Sequence, residues 1–213
     1  MGDRLRTRMD RDIGHVASLL RQAHSALGLA MEVLSTSAGS DSERTMADLG
    51  RTLRELRGEA DDLASAAFGA LPQEMDRQSV LMALHVAEDI GRIGVLIEQV
   101  GEIAQARRSG PSLTQGVLLP VRDLGGACLR LMARACDVLR SDAPPAVMDG
   151  DLADIVARQR GLNRLLLSGG DEACPMRDAA DAVVLGRCYE ECAFRAAAVA
   201  RIAVLLREHA PRR

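Results

Sequence analysis

The stretch that decides the fold is Glu74–Arg108, which reads EMDRQSVLMALHVAEDIGRIGVLIEQVGEIAQARR. It contains no proline, and at about 100° per residue its apolar side chains fall on one side of a helix. These are Val86, Ile90, Ile93, Ile97, Val100 and Ala104. The opposite side carries Glu88, Gly91, Val95, Glu98 and Glu102. The pattern predicts a long amphipathic helix that packs against partners on one side only.

A second stretch, Arg177–Glu208, repeats this pattern at a constant offset along the chain. The offset pairs identical apolar residues with each other and small residues with small residues. The pairs are Ala83 with Ala182, Val100 with Val199, Ile103 with Ile202, Ala104 with Ala203, Gly94 with Ala193 and Gly101 with Ala200. We therefore expect an internal duplication, with a first unit at residues 1–109 and a second at residues 110–213.

The composition favours an all-α protein. The 213 residues are 47% hydrophobic but only 1% aromatic, with no Trp, one Tyr and two Phe. Sheet cores rely on aromatic and β-branched residues, whereas a core rich in alanine and leucine favours helices. The scarcity of aromatic rings also argues against surfaces that stack the bases of RNA or single-stranded DNA.

The charge pattern bears on partners and location. The formal net charge is −3, every cation is an arginine, and no basic segment marks a nucleic-acid surface. The apolar runs are far shorter than the roughly 20 residues that span a bilayer. The N-terminus is too charged to contain a signal peptide. We expect a cytoplasmic protein without a nucleic-acid partner and without direct membrane insertion.

Turn-forming segments divide the chain into six predicted helices, and no strand pattern competes with them. The breaks are Ser35–Asp41, Leu71–Pro72, Ser109–Pro111, Ser141–Pro145 and Ser168–Asp171. The predicted helices are Leu5–Leu34, a helix capped near Asp41 and ending near Phe68, Glu74–Arg108, Val117–Leu139, Leu152–Leu167, and a last helix from about Asp178 to before Pro211. Pro120 is expected in the first turn of the fourth helix, where proline is tolerated. Two antiparallel three-helix bundles are the economical packing, and the pattern leaves open whether they stand end to end or form one joined bundle.

Five cysteines are present, an odd number without a C-x-x-C pair, so no disulfide framework is implied. They are Cys128, Cys136, Cys174, Cys188 and Cys192. Cys188 and Cys192 share an apolar face of the last helix, and we interpret them as small core hydrophobes. A thiol-based metal or redox sensor built on these two residues is the weaker hypothesis.

Three segments around the predicted third and sixth helices carry a family resemblance. Leu71–Arg77 reads LPQEMDR, Asp89–Leu96 reads DIGRIGVL, and Val184–Val199 reads VLGRCYEECAFRAAAV. With six helices in two repeats, they resemble the PhoU family of phosphate-uptake regulators over essentially the whole chain. In that family the matching phrases read like QQPVATDLR, LERIGDLA and LLGRYYERFADHAV. The match from Leu185 to Glu190 is the most specific, whereas the N-terminal helices match only in pattern.

The resemblance implies metal sites that this sequence largely lacks. PhoU proteins carry Glu or Asp followed four residues later by Asp on the third helix of each repeat, and these side chains bind iron or zinc clusters. Residues four apart share a helical face, and clustered carboxylates attract hard cations. The equivalent positions here are Gly91, Val95, Glu190 and Phe194. Because Glu190 alone keeps a carboxylate, we expect no cofactor, with the family's metal sites lost or badly weakened.

The remaining carboxylates on the third helix do not replace the lost ligands. Glu88 and Glu98 lie about 15 Å apart along the helix, too far to share one ion. We interpret them, with Glu102, as a solvated acidic face.

The chain offers no recognisable catalytic arrangement. The histidines are scattered over different helices without metal-ligand spacing, and we expect them at surface or boundary positions. They are His15, His24, His85 and His209. No G-x-S-x-G, P-loop or Rossmann glycine pattern occurs, and Glu190 and Glu191 point about 100° apart on a helix. We therefore expect a protein that is not an enzyme.

Four residues are candidates for partner binding. Arg92 and Arg187 occupy positions where the family also tends to carry arginine. One interpretation is an interhelical salt bridge to Asp89 or Glu190, and the other is contact with a partner protein. Phe194 places an aromatic ring at a metal-ligand position, and aromatic residues are enriched at the centres of interfaces. The partner-binding candidates are Arg92, Arg187, Glu190 and Phe194.

The resemblance implies a non-enzymatic regulator of phosphate uptake and phosphate-starvation signalling. It would act by contacts with a sensor histidine kinase, with subunits of the phosphate ABC transporter, or with both, and it could form a homodimer. The alternative is a divergent helical scaffold or dimerisation module that serves another pathway and has lost metal binding.

Overall fold

The computed structural model describes residues 2–35, 40–69, 77–141, 143–168 and 174–209. Across these ranges the chain forms six α-helices and one short 3-10 helix, and no strand is present. The α-helices are α1 (Gly2–Ser35), α2 (Ser40–Gly69), α3 (Arg77–Arg108), α4 (Gln115–Arg140), α5 (Asp149–Leu167) and α6 (Met176–His209). The predicted all-α fold class is therefore confirmed.

The start of α4 differs from the sequence prediction. The helix begins at Gln115, two residues earlier than expected, so Pro120 lies in the second turn and not in the first. A proline there cannot donate a hydrogen bond to the carbonyl four residues before it, which is that of Gly116. Gly116 is exposed, so water can hydrate this carbonyl. The first turn is closed instead by the carbonyl of Thr114, which accepts bonds from the N–H groups of Val117 and Leu118 at 3.0 and 2.8 Å.

The connection between α4 and α5 also contains more structure than the sequence suggested. A 3-10 helix, Pro145–Met148, begins at the last residue of the predicted Ser141–Pro145 loop, and α5 begins at Asp149 instead of Leu152. Met148 is fully buried and anchors the connection in the core. The first residues predicted for α3, Glu74–Asp76, lie outside the described residues.

The six helices pack as two trios that lie side by side. Helices α1, α2 and α3 contact one another, as do α4, α5 and α6. The trios meet along α3 and α6, the most extensive helix pair, and along α1 and α4. A single hydrophobic cluster runs through both trios, so the helices form one joined bundle. Division into two duplicated units, residues 1–109 and 110–213, stays a prediction.

The apolar faces of α3 and α6 form the centre of this core. The predicted apolar residues of α3 are all buried, which confirms the amphipathic pattern. On α6 the buried stripe is Ala182, Leu185, Tyr189, Cys192, Ala196, Val199 and Ala203. Four of these seven residues are Ala or Cys, so α6 presents a narrow surface to its neighbours. The larger Ile and Leu residues of the facing helices fill the space, at about 1.5–3 kcal/mol for each fully buried side chain.

Glycines permit close approach at particular points of the core. A Cβ atom at Gly125 on α4 would lie 2.6 Å from the methyl carbon of Met31 and 3.2 Å from the ring of Tyr189. A Cβ at Gly101 would lie 2.9 Å from Leu49. Gly91 and Gly94 on α3 do not mark such a close approach, because a Cβ at Gly91 would meet no atom within 4 Å, and one at Gly94 would make an ordinary contact with Leu56 at 3.6 Å.

Adjacent glycines on α4 provide a matched test of this packing. We expect Gly125→Val to lower the free energy of unfolding by about 1–3 kcal/mol, because the new side chain must displace Met31 and the Tyr189 ring. We expect Gly126→Val to change it by less than about 0.5 kcal/mol, because only the flexible end of Arg130 lies near that position. Urea unfolding followed by circular dichroism measures both. Equal effects of the two substitutions would contradict the assigned packing.

Candidate functional site: the α3–α6 pair and its outward face

Helices α3 and α6 run antiparallel and are joined by a network of four charged residues. The guanidinium of Arg195 donates to Asp89 at 2.6 Å and to one carboxylate oxygen of Glu191 at 2.8 and 3.1 Å. Arg92 donates to the same oxygen of Glu191 at 3.3 Å. The network contains two cations and two anions, so it holds the helices together without leaving a net charge.

The local electrostatics follow from this pairing. Burial would raise the pKa of Glu191, but the hydrogen bonds and charges of Arg195 and Arg92 outweigh burial and lower it. Burial would lower the pKa of Arg195, and hydrogen bonds with Glu191 and Asp89 outweigh burial and raise it. Glu191 and Arg195 therefore stay ionised at neutral pH, and hydrogen bonds tie them to Asp89 and Arg92.

The prediction of an interhelical salt bridge is confirmed for Arg92, but its partner is Glu191 and not Glu190. For Arg187 the prediction is wrong within the described ranges, because Asp89 is held by Arg195 and Arg187 forms no ion pair there. Arg92 and Glu191 lie 99 residues apart, the offset that relates the two sequence repeats.

A second ionic cluster, which the sequence analysis missed, is buried where the two trios are connected. Arg107 near the end of α3 is only 4% exposed, and Asp178 near the start of α6 is 3% exposed. Arg107 donates to Asp178 and to Asp181, each at 2.6 Å, and to the carbonyl of Pro111 at 3.2 Å. The backbone N–H of Thr114 donates to the second oxygen of Asp178 at 2.9 Å.

The cluster ties the linker after α3 to the first turn of α6. Burial would raise the pKa of Asp178, but the Thr114 N–H and the guanidinium of Arg107 outweigh burial and lower it. A sequence signal for this cluster did exist. Continuing the apolar stripe of α3 by one step beyond Ala104 reaches Arg107, and continuing that of α6 by one step before Ala182 reaches Asp178. A charge at a stripe position predicts a buried ion that needs a partner.

The positions that correspond to the family's metal ligands lie on the outward sides of α3 and α6. Gly91, Val95 and Glu190 are half-buried there, and Phe194 is exposed. Among them only Glu190 offers an oxygen atom, so the side chains present do not fit an iron or zinc cluster. Within the described ranges, no group of three or more His, Cys, Asp or Glu residues is arranged to hold a metal ion.

The acidic face of α3 is solvated, as predicted. Glu88, Glu98 and Glu102 are all exposed. Glu98 pairs with Arg57 of α2 at 2.8 Å, and Glu88 lies 3.9 Å from the imidazole of His85. These contacts are exposed and contribute little to stability.

The outward face of α6 combines apolar and charged groups that the fold does not use. Phe194 is 44% exposed and Val183 is 48% exposed. Between them lie Arg187, which is exposed, and Glu190, which is half-buried. Neither forms an ion pair or side-chain hydrogen bond with any residue of the described ranges. By contrast, Arg201 on the same face is held by Asp149 of α5 at 2.6 Å.

The thiols and imidazoles are placed as the sequence predicts. Cys188 and Cys192 are buried in the core, and the Cys188 thiol donates to the side-chain oxygen of Gln99 at 3.4 Å. Burial raises the pKa of Cys188 to about 11 and raises that of Cys192 strongly, so neither is a reactive thiolate. His15 and His85 are exposed and His24 is half-buried. His209 lies outside the residues whose side chains are described.

Comparisons with models of known protein families and with curated proteins find no match. In the part of the chain that the structure describes, no helix combines the length and the apolar character needed to cross a bilayer.

The buried ionic cluster generates a stability prediction. We expect Arg107→Met to lower the free energy of unfolding by about 3–5 kcal/mol, because it leaves the Asp178 carboxylate buried without its cation. The matched control is Arg51→Met on α2, whose 2.6 Å pair with Asp48 is largely exposed; it should cost less than about 1 kcal/mol. Urea unfolding at pH 7 measures both. A cost for Arg107→Met no larger than that of the control would contradict the buried pairing.

The same cluster predicts a pH dependence. The pKa of Asp178 is lowered in the folded protein, so the stabilisation is complete above the ordinary aspartate value of about 3.9 and is lost as the pH falls through the folded value. We expect Asp178→Asn to reduce the slope of the free energy of unfolding against pH below about pH 4. Asp48→Asn serves as the exposed control. Identical slopes for Asp178→Asn and the wild type would show that Asp178 is not paired in solution.

Proposed function

We propose that the protein is a non-enzymatic, PhoU-like regulator of phosphate uptake and phosphate-starvation signalling. It acts through contacts with a sensor histidine kinase or with subunits of the phosphate ABC transporter. The proposal rests on the resemblance in the third and sixth helices, and the joined bundle of two three-helix trios is compatible with it.

The observation that carries a contact-based mechanism is the outward face of α6. Phe194 is 44% exposed and stands beside Arg187 and Glu190, which form no ion pair with the residues that the structure describes. An aromatic ring flanked by available charges is typical of the centre of a protein interface. Arg92 lies at the edge of this face and is partly occupied by Glu191, so we assign it a smaller part in binding.

The charged groups of the α3–α6 pair serve packing and not catalysis in this proposal. Arg195, Asp89 and Glu191 are bonded to one another, and the nearby thiols and the Tyr189 hydroxyl are buried. The protein therefore presents a surface of fixed shape to its partners. Binding energy would come from burying Phe194 and from pairing Arg187 and Glu190.

A divergent helical scaffold or dimerisation module for another pathway is the second candidate. The replacement of three motif carboxylates by Gly91, Val95 and Phe194 favours it, since a protein without the ligands of its presumed relatives could have changed partners. The thiol-sensor hypothesis is not favoured, because Cys188 and Cys192 are buried with raised pKa values.

Cells that lack the gene provide the test. We expect its deletion to alter phosphate-regulated transcription and phosphate uptake, and we expect the wild-type gene to restore both. Phe194→Ala and Arg187→Glu should fail to restore them at equal protein levels, because they remove the anchor and reverse the charge of the α6 face. Leu119→Ala, at an exposed leucine on α4, should restore both fully.

Partner capture from the same cells separates the two candidates. A kinase or transporter subunit retained by the wild type and lost with Phe194→Ala supports the phosphate role. Unchanged transcription and uptake after deletion, with unrelated proteins captured, would support the scaffold instead.

A further inference from the structure

The exposed residues on the outward face of α6 are regularly spaced, and neither packing nor the proposed function requires this spacing. Val183, Arg187, Glu190 and Phe194 follow one another at steps of four, three and four residues. Such steps keep side chains on one narrow stripe of a helix, here about 17 Å long. The two ends of the stripe are apolar, and its middle carries one cation and one anion. We call these four residues the α6 stripe.

We propose that the α6 stripe binds the α6 stripe of a second copy of this chain, with the two helices antiparallel across a two-fold axis. In an antiparallel pair, each step forward on one helix corresponds to an equal step backward on the other. An axis that passes between Cys188 and Tyr189 places Arg187 opposite Glu190 of the second copy. The same axis places Val183 opposite Phe194 of the second copy. Symmetry produces each contact twice.

Charge complementarity identifies a second copy as the occupant. In the antiparallel register both cations meet anions and both apolar ends meet apolar ends. A parallel pairing of the same stripe would place Arg187 against Arg187 and Glu190 against Glu190, which is repulsive. Displacing the antiparallel register toward the C-terminus by one turn would put Arg187 opposite Phe194. A single register therefore satisfies all four positions of the stripe.

The groups in the stripe are available for this pairing. Arg187 and Glu190 form no ion pair with the residues that the structure describes, and about half of the surface of Val183 and Phe194 is exposed. Other charges near α6 are already bonded: Arg195 to Asp89 and Arg201 to Asp149. The stripe thus places two charges that have no ion-pair partner within the described ranges between two exposed apolar groups.

The size of the stripe sets the strength of the dimer. Four side-chain layers on one pair of helices bury less than the roughly 1,200 Å² of a standard stable interface. The dimer should dissociate at roughly tens to hundreds of micromolar. In dilute protein the α6 stripe is therefore exposed, and in concentrated protein it is covered by a second copy. A second copy and any other partner that binds Phe194 exclude each other.

Sedimentation equilibrium of the full chain over a concentration series tests the pairing. We expect a monomer–dimer equilibrium in which Arg187→Glu and Glu190→Arg each weaken the dimer about tenfold or more. Phe194→Ala should weaken it by at least about tenfold, because two apolar contacts are lost. The double variant Arg187→Glu/Glu190→Arg should return the dissociation constant to within about threefold of the wild type, because the exchanged charges are again complementary across the two-fold axis.

Two substitutions on the exposed face of α4, Arg122→Glu and Leu119→Ala, are the matched controls and should change the dissociation constant less than about twofold. Circular dichroism checks that every variant is folded. A wild type that is monomeric at about 1 mM, a dimer indifferent to substitutions in the stripe, or a double variant no better than its single parents would each overturn the proposal.

The double variant also distinguishes this inference from the proposed function. Exchanged charges restore pairing between two identical copies but remain mismatched to a kinase or transporter subunit. Dimerisation of the purified double variant without phosphate regulation in cells would support both ideas. A wild type that stays monomeric, with single variants that fail to restore phosphate regulation, would refute the pairing alone. A dimer with no phosphate phenotype after deletion of the gene would refute the proposed function alone.

Discussion

The antiparallel contact between α3 and α6 is the constraint on which the rest of the molecule depends. It joins the two helix trios, and it buries the two amphipathic stripes that neither trio could cover alone. A core with so few aromatic rings gains its apolar burial from many small contacts, which requires helices that approach closely. The alanines and cysteines on the core-facing side of α6 provide that approach, while isoleucines of α3 fill the remaining volume. The scarcity of aromatic residues and the small residues where the helices meet therefore both belong to the same close packing.

Charged residues fix how far α3 and α6 can slide along each other. The Arg107–Asp178 cluster stands at one end of the pair and the Asp89–Arg195 bond toward the other. These two levels lie about 27 Å apart along α3. A slip by one turn would keep most apolar contacts, because the stripes consist of similar residues. The same slip would separate both ion pairs and leave Arg107 buried without its anion, at a cost of several kcal/mol. Apolar burial thus selects the face of each helix, and the buried ions select the register.

Sequence patterns predicted the six helices, their amphipathic faces and the burial of Cys188 and Cys192, because each depends on local periodicity or composition. The start of α4 was missed by two residues, since the turn closed by the Thr114 carbonyl leaves little trace in hydropathy. Salt-bridge partners were assigned wrongly for another reason. The sequence places several carboxylates on the helix faces near Arg92. Only the three-dimensional structure shows that Asp89 pairs with Arg195 and that Arg92 pairs with Glu191. The buried Arg107–Asp178 pair was predictable in principle, because both residues interrupt an apolar stripe.

The outward faces of α3 and α6 carry the functional interpretation, because their side chains suit contact with another protein better than metal binding. Carboxylates four residues apart would attract hard cations, whereas Gly91 and Val95 offer no donor and Phe194 offers apolar area. Glu190 forms no ion pair within the described ranges, and in the proposed dimer it pairs with Arg187 of the second copy. A narrow stripe that mixes such charges with apolar ends cannot support a permanent assembly, but it can support a reversible one whose occupancy follows concentration. Regulation by contact requires that reversibility, and a rigid bundle that holds the stripe in place lowers the entropic cost of each encounter.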